Sequence, residues 1–409
     1  MTVQKKSDNL ITLALDISAL DPAFKEHAAR GIGRYVRELH TGLKDFFPSA
    51  DLDLKTFNHT SLAPSPRLDK ILKSFPLGKQ TIRQQLYYPY RLKKMKGIDL
   101  LHFPAHMDPP AYCPVPYIVS VMDLIPLLLP NLYKAERSDL RFKLARFLEM
   151  QAIKRADLVL AISKTTALDV QNLLGVPEER IVVTPLGVDE KFFGAELTSN
   201  REDLCLRYNI PANRKIILYV GGIDQRKNCR TMLEAVRKVR TATLEKNQTP
   251  PVFVMVGKIQ GDRQFPKLCE LIAKFDLQND VYPVGYVPDQ DLLQLFAISS
   301  VFLFLSLYEG FGLPPLEALA AGLPVVSSKT SAMPEVLADA ALLVDPEDGM
   351  EAASAILKIL QSKEVANTLK EKGKEQAKKF TWKETCALTA CAYQQMAEKI
   401  RQSSKLLNT

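Results

Sequence analysis

The chain has 409 residues, 46% hydrophobic and 24% charged, with a net charge of +8. That is enough material for two or three domains with sizeable cores, and the balance excludes disorder as the main state. The longest apolar runs, Leu124 to Leu129 and Val301 to Leu307, fall far short of the roughly 18 to 20 residues a membrane-spanning helix needs.

Along the chain, short β-branched or leucine-rich runs alternate with longer helical patterns. This alternation marks βαβ units and parallel sheets, an α/β fold class. The first apolar piece, Ile11 to Leu15, ends at Asp16 and is too short for a signal peptide, so a cytoplasmic location is expected. Ile11 to Asp16 reads as the first strand, and Arg30-Gly31-Ile32-Gly33-Arg34 opens a helix from Tyr35 to Leu43. A GxG turn by itself is weak evidence of an anion site.

Between Arg67 and Lys96 nine cations face one acid, Asp69, so this segment alone carries +8. Interleaved with Phe75, Tyr87, Tyr88 and Tyr90, it suits nucleic acid, an anionic membrane surface or an acidic substrate, or else a solvated helix face. Further strands are expected at Asp99 to His102, Tyr117 to Met122, Leu158 to Ile162 and Ile181 to Pro185. Strand-end loops carry the chemistry of open parallel sheets. That singles out His102 and His106 in HFPAH and Asp123 after Met122. Either histidine suits an acceptor hydroxyl or proton transfer, or simply hydrogen-bonds within its loop.

The strand logic pauses after Gly187, and a domain boundary is expected at 190 to 205. A second strand set follows: Ile216 to Gly221, Val252 to Val256, Val281 to Val284, Val301 to Leu305, Pro324 to Ser327 and Ala341 to Val344. Two such sets suit two doubly wound domains rather than one sheet. The divisions are 1–195, 205–380, and a final helix over 381–409 whose Trp382, Cys386, Tyr393, Ala397 and Ile400 share one stripe.

Two loops of the second set stand out. In Tyr219-Val-Gly-Gly-Ile-Asp-Gln-Arg-Lys-Asn228 a glycine turn precedes Arg226 and Lys227 just before a helix. Bidentate Arg beside point-charge Lys suits a diphosphate. In Glu309-Gly-Phe-Gly-Leu-Pro-Pro-Leu-Glu317 two glycines permit close backbone approach, two prolines suit a first helical turn, and two carboxylates reach different parts of one ligand. Six scattered cysteines without a CxxC pair, beside five histidines, give no zinc pattern.

Glu309 and Glu317 with GFGLP between them resemble the E-x7-E motif of glycosyltransferase family 4. GIGRYVREL at 31–39, ISKTT at 162–166, VPEERIVVTPLGVD at 176–189, YVGGIDQRKN at 219–228, VGYVPDQDL at 284–292 and AAGLPVVSS at 320–328 agree with it. The resemblance implies a GT-B fold: two Rossmann-like domains facing a cleft, with the final helix returning to the first. It implies an N-terminal acceptor domain, a C-terminal nucleotide-sugar domain, and retaining hexosyl transfer from a nucleotide diphosphate to a glycan or lipid-linked saccharide.

Position by position, the family implies Glu309 beside the donor sugar and Glu317 on the ribose hydroxyls. Gly312 and Leu313 would supply amides near sugar and phosphate, and Arg226 and Lys227 would neutralise the diphosphate. Gly31 and Gly33 would let the first domain close over it, while the backbone at Tyr286 and Val287 would line the base pocket. His102, His106 and Asp123 remain acceptor candidates. Met122 stands where many relatives carry a histidine. The RKN form resembles mannosyltransferases, making GDP-mannose the first donor, with no metal or other cofactor and no nucleic-acid partner expected. Arg67 to Lys96 becomes a candidate contact with the inner face of a membrane. A GT-B sugar-nucleotide 2-epimerase and a non-catalytic glycan- or nucleotide-binding regulator are the alternative readings.

Overall fold

The computed structural model describes residues 10–21, 31–46, 52–58, 79–133, 140–194 and 200–407. The chain divides into two compact units, Met1–Gly187 with Trp382–Thr409, and Val188–Thr381. The division falls at Gly187, ahead of the polar stretch where the sequence places it.

Among the described residues the first unit holds one parallel sheet in the order β2-β1-β3-β4-β5-β6. Its strands are β1 (Ile11–Asp16), β2 (Leu52–Phe57), β3 (Leu100–Phe103), β4 (Tyr117–Val121), β5 (Leu158–Ala161) and β6 (Ile181–Val183). β1 and β3 to β5 are buried along their whole length, as sheets covered on both faces require. β2 is the strand the sequence reading lacks. It pairs with β1 alone in register Ile11↔Leu52, at the sheet edge, and exposes Lys55 and Thr56 there. Charges on an edge strand discourage pairing with other chains, and they also erase the apolar run by which a buried strand is recognised.

The second unit repeats the plan in the order β12-β11-β10-β7-β8-β9. These are β7 (Ile216–Val220), β8 (Val252–Val256), β9 (Val281–Gly285), β10 (Val301–Phe304), β11 (Val325–Ser328) and β12 (Ala341–Val344). From β7 the chain winds outward through β8 and β9, then returns to β10 on the opposite side of β7, with Val301 opposite Ile217. The direction of winding therefore reverses between β7 and β10. Loops diverge at such a point and leave a crevice at the strands' carboxyl ends. Tyr219, Phe302 and Phe304 stack beneath that edge, Tyr219 to Phe304 at 5.9 Å and Phe302 to Phe304 at 6.1 Å. Each such pair adds about 1 kcal/mol beyond its buried area.

The helices that matter below are α1 (Gly31–Gly42), α2 (Tyr88–Lys94), α3 (Leu140–Arg155), α4 (Cys229–Leu244), α5 (Leu313–Ala320) and α6 (Trp382–Leu407). α6 belongs to the first unit. It buries Trp382, Cys386, Tyr393 and Ala397, while Ile400 is half-buried. No described helix is long and apolar enough to cross a membrane.

Candidate active site

Two loops leave the carboxyl ends of β7 and β10, where the direction of winding reverses. After β7 the buried Tyr219 turns back on its own strand end, its hydroxyl donating to the Gly222 carbonyl at 2.5 Å. A Cβ at Gly221 would lie 2.5 Å from that hydroxyl, so the turn requires glycine there. A tight helical turn, Gln225–Lys227, then ends at Asn228, whose left-handed backbone (φ 56°, ψ 43°) starts α4. Arg226 and Lys227 thus project at a strand end and immediately before a helix.

After β10, Leu305 and Ser306 are buried and the chain rises to Glu309. The two loops are stitched together: the Leu307 amide donates to the Arg226 carbonyl at 2.9 Å, and Arg226 Nη1 donates to the Tyr308 carbonyl at 3.2 Å. Glu309 Oε1 receives both cations, Arg226 Nη1 at 2.7 Å and Lys227 Nζ at 2.6 Å. Lys227 is also 4.9 Å from the Phe304 ring centroid, so the aromatic stack forms a floor under its ammonium. Burial is the largest influence on the Glu309 carboxyl and would push its pKa up. The charges of Lys227 and Arg226, with the Lys227 hydrogen bond, together outweigh it and hold the pKa below the usual glutamate value.

Gly312 follows at φ 104° and precedes α5, and a Cβ there would meet Met333 Cε at 2.2 Å. Only glycine fits, on both backbone and packing grounds. Leu313 is the first residue of α5, Pro314 and Pro315 lie in its first turn, and Glu317 is buried within it. Tyr286 and Val287 follow β9, the first 80% exposed and the second buried.

The first-unit candidates separate. His102 is fully buried on β3, with Nδ1 at 2.5 Å from the Tyr393 hydroxyl and Nε2 at 2.8 Å from Ser120 Oγ. Burial lowers its pKa to about 3. A neutral imidazole offers one donor and one acceptor, and two hydroxyls take both, so His102 is a core hydrogen-bonding residue rather than an acceptor contact. His106 is buried as well, with Nε2 at 3.0 Å from Glu149, which also binds Arg146 at 2.8 Å. Its Nδ1 has no hydrogen-bond partner. Burial is the largest influence on this imidazole and lowers its pKa. Glu149, by hydrogen bond and charge, with Asp123, outweighs it and raises the pKa above the usual histidine value. Asp123 Oδ1 accepts the Ile125 amide at 3.1 Å and caps a short turn. Met122 is buried. Gly31 opens α1 and Gly33 is buried within it. Of the basic segment, residues 67–78 lie outside the described residues, whereas Arg91, Lys93, Lys94 and Lys96 are exposed on and just after α2.

Three supporting residues escape sequence reading. Ser331, at φ 55°, accepts the Glu309 amide at 3.0 Å. Asn228 bonds two carbonyls, and Glu149 orients His106. Only Asn228 carries a local signal, since it ends the conspicuous Arg226-Lys227-Asn228 run.

The assembled cluster is a buried lysine and a partly buried arginine sharing one carboxylate at a winding reversal. A bound diphosphate would carry enough charge to compete for both cations, drawing them away from Glu309.

Comparison with known proteins identifies glycosyltransferases as relatives of the chain. A family model described as Glycosyl transferases group 1 matches residues 201–376, and one described as Glycosyltransferase Family 4 matches residues 29–192. The O-antigen chain mannosyltransferase B of Escherichia coli is 31% identical over 249 residues, covering 59% of this chain and 62% of that protein. A serotype-specific mannosyltransferase of Escherichia coli is 27% identical over 283 residues, covering 69% of this chain and 34% of the relative. The chain thus spans less than two thirds of either relative's length. Among solved structures, a sucrose-phosphate synthase from Thermosynechococcus elongatus superposes with a TM-score of 0.69 at 21% identity, over 94% of this chain and 99% of that one. That likeness is one of fold, GT-B.

Proposed function

The chain belongs to family 4 of the glycosyltransferases, and on that premise we propose that it transfers a hexose, mannose from GDP-mannose first, to a glycan or lipid-linked saccharide with retention at the anomeric carbon. The single observation that carries the reading is the convergence of Arg226, Lys227 and Glu309 between β7 and β10. In the transfer, the bond from the anomeric carbon to the β-phosphate oxygen breaks and its electron pair leaves with the diphosphate. Arg226 and Lys227 neutralise that charge as it develops. The acceptor hydroxyl forms the new bond on the same face, and its proton passes to the departing oxygen. Glu309, once its cations turn to phosphate, stands as the anion beside the positive anomeric centre. Glu317 holds the ribose, the amides after Gly312 meet sugar and phosphate, and the backbone at Tyr286 and Val287 meets the base. Mannose is favoured because both relatives described above are named mannosyltransferases.

Replacing Arg226 and Lys227 together by alanine tests the reading. Transfer is expected to fall below a tenth of wild type, more than about 1.4 kcal/mol of barrier, while binding of the free nucleoside stays. A double variant that keeps more than a tenth of its turnover overturns the assignment.

We assign the acceptor side to the first unit, at His106 and Asp123. Membrane contact is assigned to the region of α2, where Lys94 lies 4.3 Å from the Tyr90 ring centroid and Arg91 5.9 Å from that of Tyr87. Leu86 and Tyr90 are exposed there. Each cation near an anionic surface contributes roughly 1 kcal/mol. Binding to anionic but not neutral vesicles is expected, with loss when Lys93, Lys94 and Lys96 become glutamate. Equal sedimentation with both vesicle types would exclude an electrostatic anchor.

A further inference from the structure

Asn228 makes more connections than its place beside the cations requires. Its Nδ2 donates to the Leu305 carbonyl at 3.2 Å and to the Pro346 carbonyl at 2.5 Å. Its Oδ1 accepts the Thr231 hydroxyl at 2.9 Å. Its amide closes the 225–228 turn on the Gln225 carbonyl at 3.1 Å. One side chain therefore ties the cation turn to the end of β10, to the exit of β12 and to the first turn of α4.

The residue type is narrowly determined. The backbone sits at φ 56°, which glycine and asparagine adopt most readily. Glycine supplies that backbone but no side-chain bonds. Aspartate has the right length but would set an anion against two carbonyl oxygens. Asparagine alone combines a left-handed backbone, two N–H donors and one acceptor at this reach. Leu305 is fully buried, so leaving its carbonyl without a donor would carry an uncompensated desolvation cost.

Taking Arg226 and Lys227 as the diphosphate-binding pair, we propose that Asn228 is the positioning residue that holds them in register with the Glu309 loop, so that donor affinity depends on its side-chain clamp. Arg226 and Lys227 lie two and one residues before the clamp, and Leu307, whose amide holds the Arg226 carbonyl, lies two residues after the clamped Leu305. Releasing the clamp frees the cations to follow the turn rather than the loop.

The test is calorimetric titration of the full chain with GDP, and with UDP and ADP in parallel, against the matching free nucleosides. Asn228→Gly keeps the left-handed backbone and removes only the side chain. Expected are at least tenfold weaker nucleoside diphosphate binding, unchanged nucleoside binding, and no further loss when Asn228→Gly is added to the Arg226→Ala/Lys227→Ala variant. A purely structural role would instead lower the thermal midpoint while leaving the diphosphate affinity of the folded protein in place. Should Asn228→Gly fail to fold, Thr231→Val removes only the bond that orients the amide, and a smaller loss of the same selectivity is expected. Diphosphate affinity within twofold of wild type in the folded variant overturns the role of Asn228. If the double cation variant also binds diphosphate normally, the diphosphate reading itself falls.

Discussion

Glu309 holds two cations through a single carboxylate oxygen. Because Arg226 and Lys227 both lie within 2.7 Å of Oε1, a diphosphate must displace that carboxylate to claim them. Glu309→Gln is therefore expected to bind GDP several-fold more tightly while transfer falls about a hundredfold, the size of effect that loss of a transition-state electrostatic partner produces. Weaker GDP binding in calorimetry would show that the carboxylate is not a competitor. Glu317→Ala should do the opposite in binding, weakening nucleotide affinity. The lowered Glu309 pKa has a defined sign in stability. The pairing stabilises fully above the ordinary carboxylate range and is lost as pH falls through the folded value, so the acid limb of a denaturation profile should soften in Glu309→Gln.

The segment after β11 acts as a brace for the Glu309 loop. Thr330 donates to the Leu307 carbonyl at 3.2 Å, Ser331 accepts the Glu309 amide, and Met333 fills the space that a side chain at position 312 would need. Gly312→Ala brings both a clash with Met333 and a left-handed backbone. A loss of about 1 to 3 kcal/mol in chemical denaturation is expected, with transfer lost alongside. Recovery of stability but not activity when Met333 is shortened to alanine would identify the loop geometry as what activity needs. β2 shows the same dependence on context in reverse, since its charges become intelligible only once it is seen to occupy a sheet edge.

At the scale of the whole chain, a buried polar relay anchors α6 in the first unit. Tyr35 on α1 and His102 on β3 meet at Ser120 on β4, and His102 reaches Tyr393 on α6. His102 must stay neutral in that relay. With a folded pKa near 3 and an unfolded value of about 6.5, its burial costs nothing above pH 6.5 and destabilises progressively as pH falls below it. Between pH 6.5 and 5 wild type should lose about 2 kcal/mol more stability than His102→Gln, at about 1.4 kcal/mol per pH unit. Parallel profiles would remove His102 from the acid response. What the sequence alone determined about this protein is whatever neighbouring residues enforce: the alternation of strands and helices, the glycine turns, the Glu309 to Glu317 spacing, the adjacent cations and the buried stripe of α6. Tertiary structure decided the rest. Glu309 meets a lysine 82 residues away, and His102 a tyrosine 291 residues away. Those meetings depend on strand order, where β10 lies beside β7 and β3 beside β4, and no local pattern of side chains specifies which strands become neighbours.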